Sequence, residues 1–234
     1  MATPLPFPET GAPAASVARP ALAGPDPGRD CPLCPRLVDF RHAQRAAHPG
    51  WWNAPVPAFG DPHAWLAVVG LAPGRTGANR TGRPFTGDHA GWLLYGTLLK
   101  LGLARGHYDP DGRDDLALVG CAIINPVRCV PPGNRPEPAE IAACRPFFEG
   151  ALAALPQLTT LIALGQVAHV AVLRAHGLTP SRHRFAHGAR HVLPGGRTLI
   201  DSFHCSRLNT NTGRLTPAMF EAVFEAALET RRAD

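Results

Sequence analysis

Short, nearly continuous runs of apolar and β-branched residues alternate along the chain with longer segments whose apolar residues recur every three or four positions. The short runs are typical of strands that are buried on both faces of a parallel sheet, and they span residues 64–71, 115–124, 158–165 and 197–203. The longer segments have helical spacing, and they span residues 90–103, 137–155, 166–177 and 215–231. Strands that alternate with helices predict an α/β fold of three layers (α/β/α) with a central, mainly parallel, four-stranded sheet.

The first thirty residues break this pattern, because Pro, Ala and Gly dominate them and no apolar periodicity appears. We expect residues 1–30 to form a disordered arm and residues 31–234 to form one folded domain. The arm has no basic start followed by an apolar stretch, so it does not look like a secretory leader. No run approaches the ~20 apolar residues of a membrane span, and we therefore expect a soluble, cytoplasmic protein.

Polar loops follow three of the four predicted strands, and they begin at Gly70, Asn125 and His204. The first loop is long and consists largely of Gly, Arg, Thr, Asn and Pro, with little to bury. In open parallel sheets, ligands bind outside the carboxyl ends of the strands, where such loops meet. The sequence therefore predicts one ligand site at this edge of the sheet.

The chain is moderately basic, with 23 Lys and Arg against 18 Asp and Glu and a net charge of +5. Nearly all of the cations are arginine, and Lys100 is the single lysine. A basic surface suits a polyanionic partner, but a GC-rich coding bias toward Ala, Arg and Pro explains the charge equally well. Charge alone therefore does not identify the partner.

Four of the six cysteines fall into two pairs. Cys31 and Cys34 form a CxxC motif with Pro neighbours, whereas Cys129 and Cys144 bracket a Pro-rich loop and the start of a predicted helix. Four thiolates from two distant segments can enclose one metal centre and tie the N-terminal segment to the domain. Spacing does not separate a [4Fe–4S] cluster from a structural zinc ion, because both use thiolate ligands. Four ordinary buried cysteines are the third interpretation.

The other two cysteines have different settings. Cys121 lies inside a predicted strand and is expected to be a small core residue. Cys205 directly follows His204, so a hydrolase with a Cys–His nucleophilic pair is an alternative function for this edge. Side chains of sequence neighbours on a loop usually point apart, which disfavours that alternative.

Five motifs resemble those of one family, the uracil-DNA glycosylase superfamily, and specifically its iron–sulfur-containing type 5 enzymes. The motifs are GLAPGRTGANRTGRPFTGD, VRCVPPGNRP, ALGQVAH, FHCSRLNTNTGRLT and CPLCPRL, and they extend from residue 31 to about residue 220. The resemblance implies that Cys31, Cys34, Cys129 and Cys144 ligate a [4Fe–4S] cluster with a structural role. It also implies a catalytic domain that acts on DNA, removes uracil, tolerates other deaminated bases such as hypoxanthine, and leaves an abasic site. We expect a monomer; a non-catalytic iron–sulfur module that binds DNA is the remaining alternative.

A base that is removed from DNA must first leave the stack, and it then needs a stacking surface, a group that reads its edge and a donor for its developing charge. Phe85 matches the family's motif aromatic and is the candidate stacking ring, and plain packing in the core is its alternative role. Asn125 can offer a donor and an acceptor to a pyrimidine, as an Asn does in type 4 relatives, although type 5 enzymes often have a small residue there. The alternative role for Asn125 is to cap the turn before Pro126. His204 can donate from a neutral imidazole to the base carbonyl. Its motif, usually His-x-Ser, is HCS here.

The candidates for the sugar and the attacking water lie in the first and second loops. Asp88 suits two roles: an N-cap of the following helix, and a carboxylate that orients water or stabilises the cationic sugar, as the matching Asp does in type 5 relatives. Gly70 and Leu71 are expected to line the substrate pocket, and Leu71 replaces the polar residue that other families place near the water. Asn134 matches a family position that is linked to activity.

Contacts with the DNA backbone are expected from polar residues of two loops. The candidates are Arg75, Arg80 and Arg83 in the first loop and Ser206, Arg207 and Asn209 in the last. Lys100 lies in a predicted helix, so no lysine is expected near the site to form a Schiff base. A glycosylase of this kind would be monofunctional.

Overall fold

A computed structural model describes residue 22 and residues 24–233, so most of the predicted arm lies outside the described residues. The described end of that arm packs on the domain, because Leu22 is 5% exposed within the core. Asp26 pairs with Arg128 at 3.2 Å, and Asp30 pairs with Arg45 at 2.6 Å. The packed part of the chain therefore begins before residue 31, the predicted start of the domain. Leu22 and the two ion pairs hold a segment whose composition alone indicates disorder.

The main sheet is wider than predicted. The strands of the described chain are β1 (Phe59–Gly60), β2 (Leu66–Val69), β3 (Ala104–Arg105), β4 (Ala117–Leu118), β5 (Cys121–Ile124), β6 (Thr160–Leu164), β7 (Arg190–Val192) and β8 (Thr198–Ser202). Six of them form one sheet in the spatial order β1-β5-β2-β6-β8-β7. The four central strands are parallel, which confirms the predicted centre, and the edge strands β1 and β7 run antiparallel to their neighbours. These edge strands are too short to show a pattern in the sequence.

Helices cover both faces of the sheet, and this confirms the predicted three layers. The helices of the described chain are α1 (Pro35–Ala47), α2 (Ala78–Thr81), α3 (His89–Lys100), α4 (Pro138–Ala153), α5 (Gln166–Ala175), α6 (Arg207–Asn211) and α7 (Pro217–Ala233). Apolar residues of α3 and α7 pack on one face, and those of α4 and α5 pack on the other. Within the described chain, no helix combines the length and the hydropathy that a membrane crossing requires.

The second predicted strand, residues 115–124, divides into β4 and β5. Gly120 separates them with a φ of 59°, and its N–H donates to the Asp61 carboxylate at 2.7 Å. A Cβ at position 120 would lie 2.7 Å from the indole nitrogen of Trp65, so only glycine fits this break. β4 pairs with β3 instead, and together they form a separate unit, the 104–118 hairpin.

The register of the parallel strands brings the predicted loops together. Val69 lies beside Ile124, so the next residues, Gly70 and Asn125, leave the sheet side by side. β8 runs parallel two strands away and ends two residues before His204. The predicted ligand edge therefore exists as a single rim of loops.

Candidate active site

Gly70, Phe85 and Asn125 meet at this rim. The Gly70 N–H donates to the Ile124 carbonyl at 3.1 Å, which continues the ladder past the end of β2. A Cβ at position 70 would overlap Asn125 Oδ1 and would lie 2.9 Å from Cε2 of Phe85. The two side chains therefore converge over the bare face of a glycine, and no larger residue fits there.

The Phe85 ring also lies beside the His204 ring. The two centroids are 5.9 Å apart and the planes are inclined by 26°. Phe85 is 8% exposed, and its φ of 55° places an aromatic residue in the left-handed region. The structure thus brings together the three side chains predicted to contact the base, Phe85, Asn125 and His204.

Asn125 Oδ1 is a buried acceptor that has no hydrogen-bond partner among the described residues. The residue is 4% exposed, and an unpaired acceptor in such a position lowers stability by about 1–3 kcal/mol. The alternative role of Asn125, as a cap of the turn before Pro126, would have given this oxygen a partner. The carbonyl is therefore available to a donor on a ligand.

His204 lies in a loop where a side chain five residues later holds its carbonyl. Burial lowers the pKa of His204 to about 4, so the imidazole is neutral at pH 7 and carries one N–H donor. Asn209, which was predicted to contact DNA, donates from its amide to the His204 carbonyl at 2.8 Å. Gly165 has a φ of 98°, and a Cβ there would lie 3.6 Å from the His204 Cβ.

The two carboxylate oxygens of Asp88 have different surroundings. Oδ1 accepts the Gly91 N–H at 3.0 Å and caps α3. Oδ2 faces the glycines of the long loop, since Cβ atoms built at Gly74 and Gly77 would lie 3.5 Å and 3.2 Å from it. Burial raises the pKa of the Asp88 carboxyl, against the backbone N–H groups of Gly91 and Ala90 that lower it. The predicted cap is confirmed, and the second oxygen leaves room for the predicted catalytic role.

Leu71 and Asn134 connect the first two loops. Leu71 is half-buried, and its carbonyl accepts the Val127 N–H at 3.3 Å. Asn134 is exposed with a φ of 57°, and its Oδ1 accepts the Arg75 N–H at 3.4 Å. Asn134 therefore braces the long loop from outside.

The loop arginines have separate surroundings. Arg75 is exposed, and Arg80 pairs with Asp111 at 2.7 Å near the surface. Arg83 is 1% exposed, and its Nη1 donates to Asp114 Oδ1 at 2.6 Å. The prediction that Arg83 contacts DNA is wrong, because a two-point ion pair with a carboxylate from a distant segment holds the guanidinium inside the protein.

The remaining predicted polar contacts lie at the last loop. Ser206 directly precedes α6, and Arg207, the first residue of that helix, is exposed. Lys100 is at the other end of α3 from Asp88, and it pairs with Glu221 at 2.6 Å. This placement agrees with the expectation that no lysine reaches the site.

The four cysteines predicted as metal ligands line one cavity with an apolar wall. The lining includes Cys31, Cys34, Cys129 and Cys144 together with Leu33, Leu37, Val38, Val127 and Phe147. None of these four cysteines forms a disulfide bond. Burial raises the pKa of Cys129 to about 12 and that of Cys144 to about 11. A bound cation would favour the thiolates instead, as in any all-cysteine metal site.

Two buried arginines beside these cysteines escaped prediction. Arg41 is 2% exposed, and it donates to Cys129 Sγ at 3.7 Å and to the Cys31 carbonyl at 3.1 Å. The charge and the backbone N–H of Arg128 both lower the pKa of Cys144, against the burial that raises it. Two buried cations complement the negative charge of a centre with four thiolate ligands. The sequence offers one signal for Arg41, because it lies seven residues after Cys34. Seven residues are two helical turns, which place both residues on the same face of a helix.

Cys121 and Cys205 are fully buried. Cys121 is a core residue, as predicted. Burial raises the pKa of the Cys205 thiol, so this group is protonated as well as inaccessible. The alternative of a Cys–His nucleophilic pair is therefore wrong.

A buried network of histidines also escaped prediction. Asp201 of β8 lies between His169 Nδ1 at 2.8 Å and His191 Nε2 at 2.9 Å. The other nitrogen of His169 contacts the His183 carbonyl at 2.9 Å. Both nitrogens of His169 thus face oxygen atoms of other residues. The network ties α5 and β7 to β8 just before His204.

The family model and the relatives that match this chain are all described as uracil-DNA glycosylases. A family model described as the uracil DNA glycosylase superfamily matches residues 57–228. The chain is 47% identical to the type-5 uracil-DNA glycosylase of Thermus thermophilus, over 86% of this chain and 93% of that relative. It is 42% identical to the enzyme of the same name from Mycobacterium leprae, over 84% of this chain and 90% of the relative. For the namesake from Pyrobaculum aerophilum, the identity is 40% over 85% of this chain and 88% of the relative.

Proposed function

The chain belongs to the uracil-DNA glycosylase superfamily, and from this premise we propose that it is a DNA repair enzyme that hydrolyses the N-glycosidic bond of uracil. Its product is an abasic site, on which the later steps of base excision repair act. Relatives that are 47%, 42% and 40% identical are all named as type-5 uracil-DNA glycosylases. The alternative of a non-catalytic DNA-binding module is therefore set aside.

Uracil recognition is assigned to the Asn125 amide. Uracil presents an N3–H donor next to the O4 acceptor, so Oδ1 can accept from N3 while the amide NH₂ donates to O4. The unpartnered Oδ1 thereby gains a donor. Cytosine presents the opposite pattern, a lone pair at N3 and an amino group at C4, and it is rejected because buried polar groups would face unmatched partners. Hypoxanthine repeats the uracil pattern at N1–H and O6, which supports a second, larger substrate base.

Phe85 and His204 complete the base pocket. The Phe85 ring offers a face on which an extruded base stacks. The neutral imidazole of His204 donates to the O2 carbonyl of uracil. When the glycosidic bond breaks, its electron pair stays with the base and the negative charge spreads onto O2. This hydrogen bond is therefore stronger in the transition state than in the ground state, which is the requirement for catalysis.

Asp88 is assigned to the sugar side of the reaction. The sugar carbon C1′ becomes cationic as the base leaves, and a carboxylate nearby stabilises it and orients the attacking water. Leu71 has no polar atom in its side chain, so water placement falls to Asp88. Burial raises the pKa of this carboxyl, which favours acceptance of the water proton. Asn134 acts indirectly, because its Oδ1 accepts the Arg75 N–H in the long loop that also carries Asp88.

Contacts with the DNA backbone are assigned to exposed groups around the pocket. Arg75 and Arg207 are exposed, and Ser206 lies beside Arg207. Arg80 can leave its surface partner, Asp111, and bind a phosphate instead. The net charge of +5 is consistent with a polyanionic partner. All assigned groups come from one chain and Lys100 lies remote from them, so we expect a monomeric, monofunctional enzyme.

The cysteine cavity fits a [4Fe–4S] cluster. The donor set is entirely thiol, the wall is apolar, and two buried arginines balance the negative charge. Cys31, Cys34, Cys129 and Cys144 would hold the cluster, which would supply a structural cross-link between the N-terminal segment and the loop after β5. No step of base removal requires it. Iron and sulfide analysis of the purified protein, with zinc measured in parallel, tests this assignment.

The observation that carries the proposed function is the convergence of an unpartnered amide oxygen, an aromatic ring and a neutral imidazole at one sheet edge. Duplex oligonucleotides that carry uracil, hypoxanthine or only normal bases are incubated with the protein and then cleaved by alkali at abasic sites. We expect rapid cleavage at uracil, slower cleavage at hypoxanthine and none in the normal duplex. Intact uracil-containing DNA after prolonged incubation overturns the proposal.

A further inference from the structure

The turn that carries Phe85 has a backbone conformation that the residue itself disfavours. Its φ of 55° lies in the left-handed region, which bulky side chains avoid. Such a conformation persists where surrounding contacts fix it. The groups that fix it come from outside the turn.

Two tyrosine hydroxyls hold the peptide groups on either side of Phe85. Tyr95 donates to the Pro84 carbonyl at 2.6 Å, and Tyr108 donates to the Phe85 carbonyl at 3.2 Å. The two tyrosine rings stack on each other at 4.7 Å with an inclination of 27°. Because both flanking peptide planes are held, neither φ nor ψ of Phe85 can relax alone.

The Arg83–Asp114 pair supports the two tyrosines from behind. The guanidinium lies 5.3 Å from the centre of the Tyr95 ring and 5.7 Å from that of Tyr108, within the range of cation–π attraction. The side chains of Arg83 and Asp114 are 1% and 2% exposed. This buried pair therefore fixes the position of both rings relative to the long loop.

Tyr108 and Asp114 both belong to the 104–118 hairpin, to which no function is otherwise assigned. Besides these contacts, the hairpin meets the long loop through the ion pair between Asp111 and Arg80. At Gly91 of α3, a Cβ would overlap both the Phe85 carbonyl and the Tyr108 hydroxyl. Helix α3 thus lies so close to the Phe85 carbonyl and the Tyr108 hydroxyl that only glycine fits at position 91.

We propose that Tyr108 is a positioning residue for base recognition, through which the 104–118 hairpin fixes the Phe85 ring beneath the extruded base. The inference rests on the proposed excision of uracil, because the ring acts by stacking on that base. Loss of the Tyr108 hydroxyl frees the Phe85 carbonyl, and the turn can then relax toward negative φ. The ring consequently moves away from Asn125 and His204. Tyr108 acts only through the backbone of Phe85.

The test is a double-mutant cycle of Tyr108→Phe and Phe85→Leu, measured by single-turnover excision from a uracil duplex. Loss of one hydrogen bond is expected to slow excision about three- to tenfold. Inhibition by free uracil should weaken by a similar factor, whereas affinity for an undamaged duplex should not change. In the Phe85→Leu background, Tyr108→Phe should have an effect of less than about twofold, because the ring on which it acts is gone.

Two results overturn the inference. One is a Tyr108→Phe protein that excises uracil as fast as the wild type. The other is an effect of Tyr108→Phe that persists in full in the Phe85→Leu background. A wild-type protein that excises no uracil is a different result, since it rejects the proposed function and this inference with it.

A matched pair of carboxylates controls for damage to the hairpin itself. Asp114→Asn weakens the buried pair with Arg83, whereas Asp115→Asn changes the neighbouring exposed carboxylate, which contacts His107. Only Asp114→Asn should weaken inhibition by free uracil, at a temperature where urea unfolding shows both variants to be folded. Equal effects of the two substitutions contradict the proposed route through Arg83.

Discussion

Replacing Asn125 by alanine is expected to lower activity strongly without lowering stability. Most substitutions of buried polar residues lower stability. In the protein alone, Asn125 Oδ1 is buried without a partner among the described residues. Its removal relieves a desolvation penalty of about 1–3 kcal/mol. The truncation also leaves a small space beside Phe85, which lowers stability by about 1 kcal/mol. The free energy of unfolding should therefore stay constant or rise, by up to about 2 kcal/mol.

Excision should respond in the other direction. Without the amide, the N3–H and O4 of uracil remain unpaired in a pocket closed by Phe85 and His204. Each unmatched group weakens binding by about 1–3 kcal/mol, or about 2–6 kcal/mol together. That sum corresponds to a loss of about thirtyfold to about 25,000-fold in kcat/KM.

The assay compares kcat/KM on a uracil duplex with urea unfolding at the same pH. Asn79→Ala is the control for stability, because Asn79 is 1% exposed and its amide donates to Asn53 Oδ1 at 2.9 Å. Loss of that satisfied pair should lower the free energy of unfolding by about 1–3 kcal/mol. If Asn125→Ala destabilises the protein as much as Asn79→Ala and leaves kcat/KM unchanged, the amide serves the fold and the reasoning fails.

Three further predictions concern charge, protonation and the metal site. Burial lowers the pKa of His204 from 6.5 to about 4, so between these pH values the unfolded chain takes up a proton that the folded chain does not. The free energy of unfolding should therefore fall by roughly 3 kcal/mol as the pH drops from 6.5 toward 4. His204→Gln should lack this loss, and equal pH slopes of the urea midpoints in the two proteins would contradict the prediction. Arg83→Gln should lower the free energy of unfolding by about 3–5 kcal/mol, because it leaves a buried carboxylate unpaired, and should not alter the salt dependence of DNA binding. Arg207→Ala should instead reduce the slope of log affinity against log salt by about 1, and fluorescence anisotropy over a salt series separates the two. Cys129→Ser should remove visible absorbance and iron from the purified protein and lower its Tm; full retention of iron would refute the assigned ligand set.

The centre of the fold was predictable because its strands are buried on both faces and read as continuous apolar runs. The edge strand β1 has two residues, Phe59–Gly60, and no run of that length carries a pattern. Helix α1 was missed for a different reason. Its buried positions include Arg41 and Gln44 beside Leu37, so its inward face is partly polar and shows no apolar stripe.

The candidate site was predictable where local sequence and chain direction decide the outcome. Residues that directly follow parallel strands must emerge at one edge, which is why Asn125 and His204 were expected to meet. Arg83 was not predictable in this way. Its surroundings are set by Asp114, 31 positions away, and nothing in a polar, glycine-rich loop indicates that one of its arginines turns inward. Non-local pairing of this kind is visible only in three dimensions.

The contact over Gly70 limits how this enzyme can acquire a new base preference. A Cβ at position 70 would point at Phe85 and Asn125, both of which are assigned to the base pocket, and even this methyl group would displace one of them. Forced packing of this kind destabilises a protein by about 1–3 kcal/mol. The floor of the pocket is thus closed to variation by side chains. Any laboratory selection for another base must work through the walls, at Asn125, at His204 or in the segments that hold Phe85 in place.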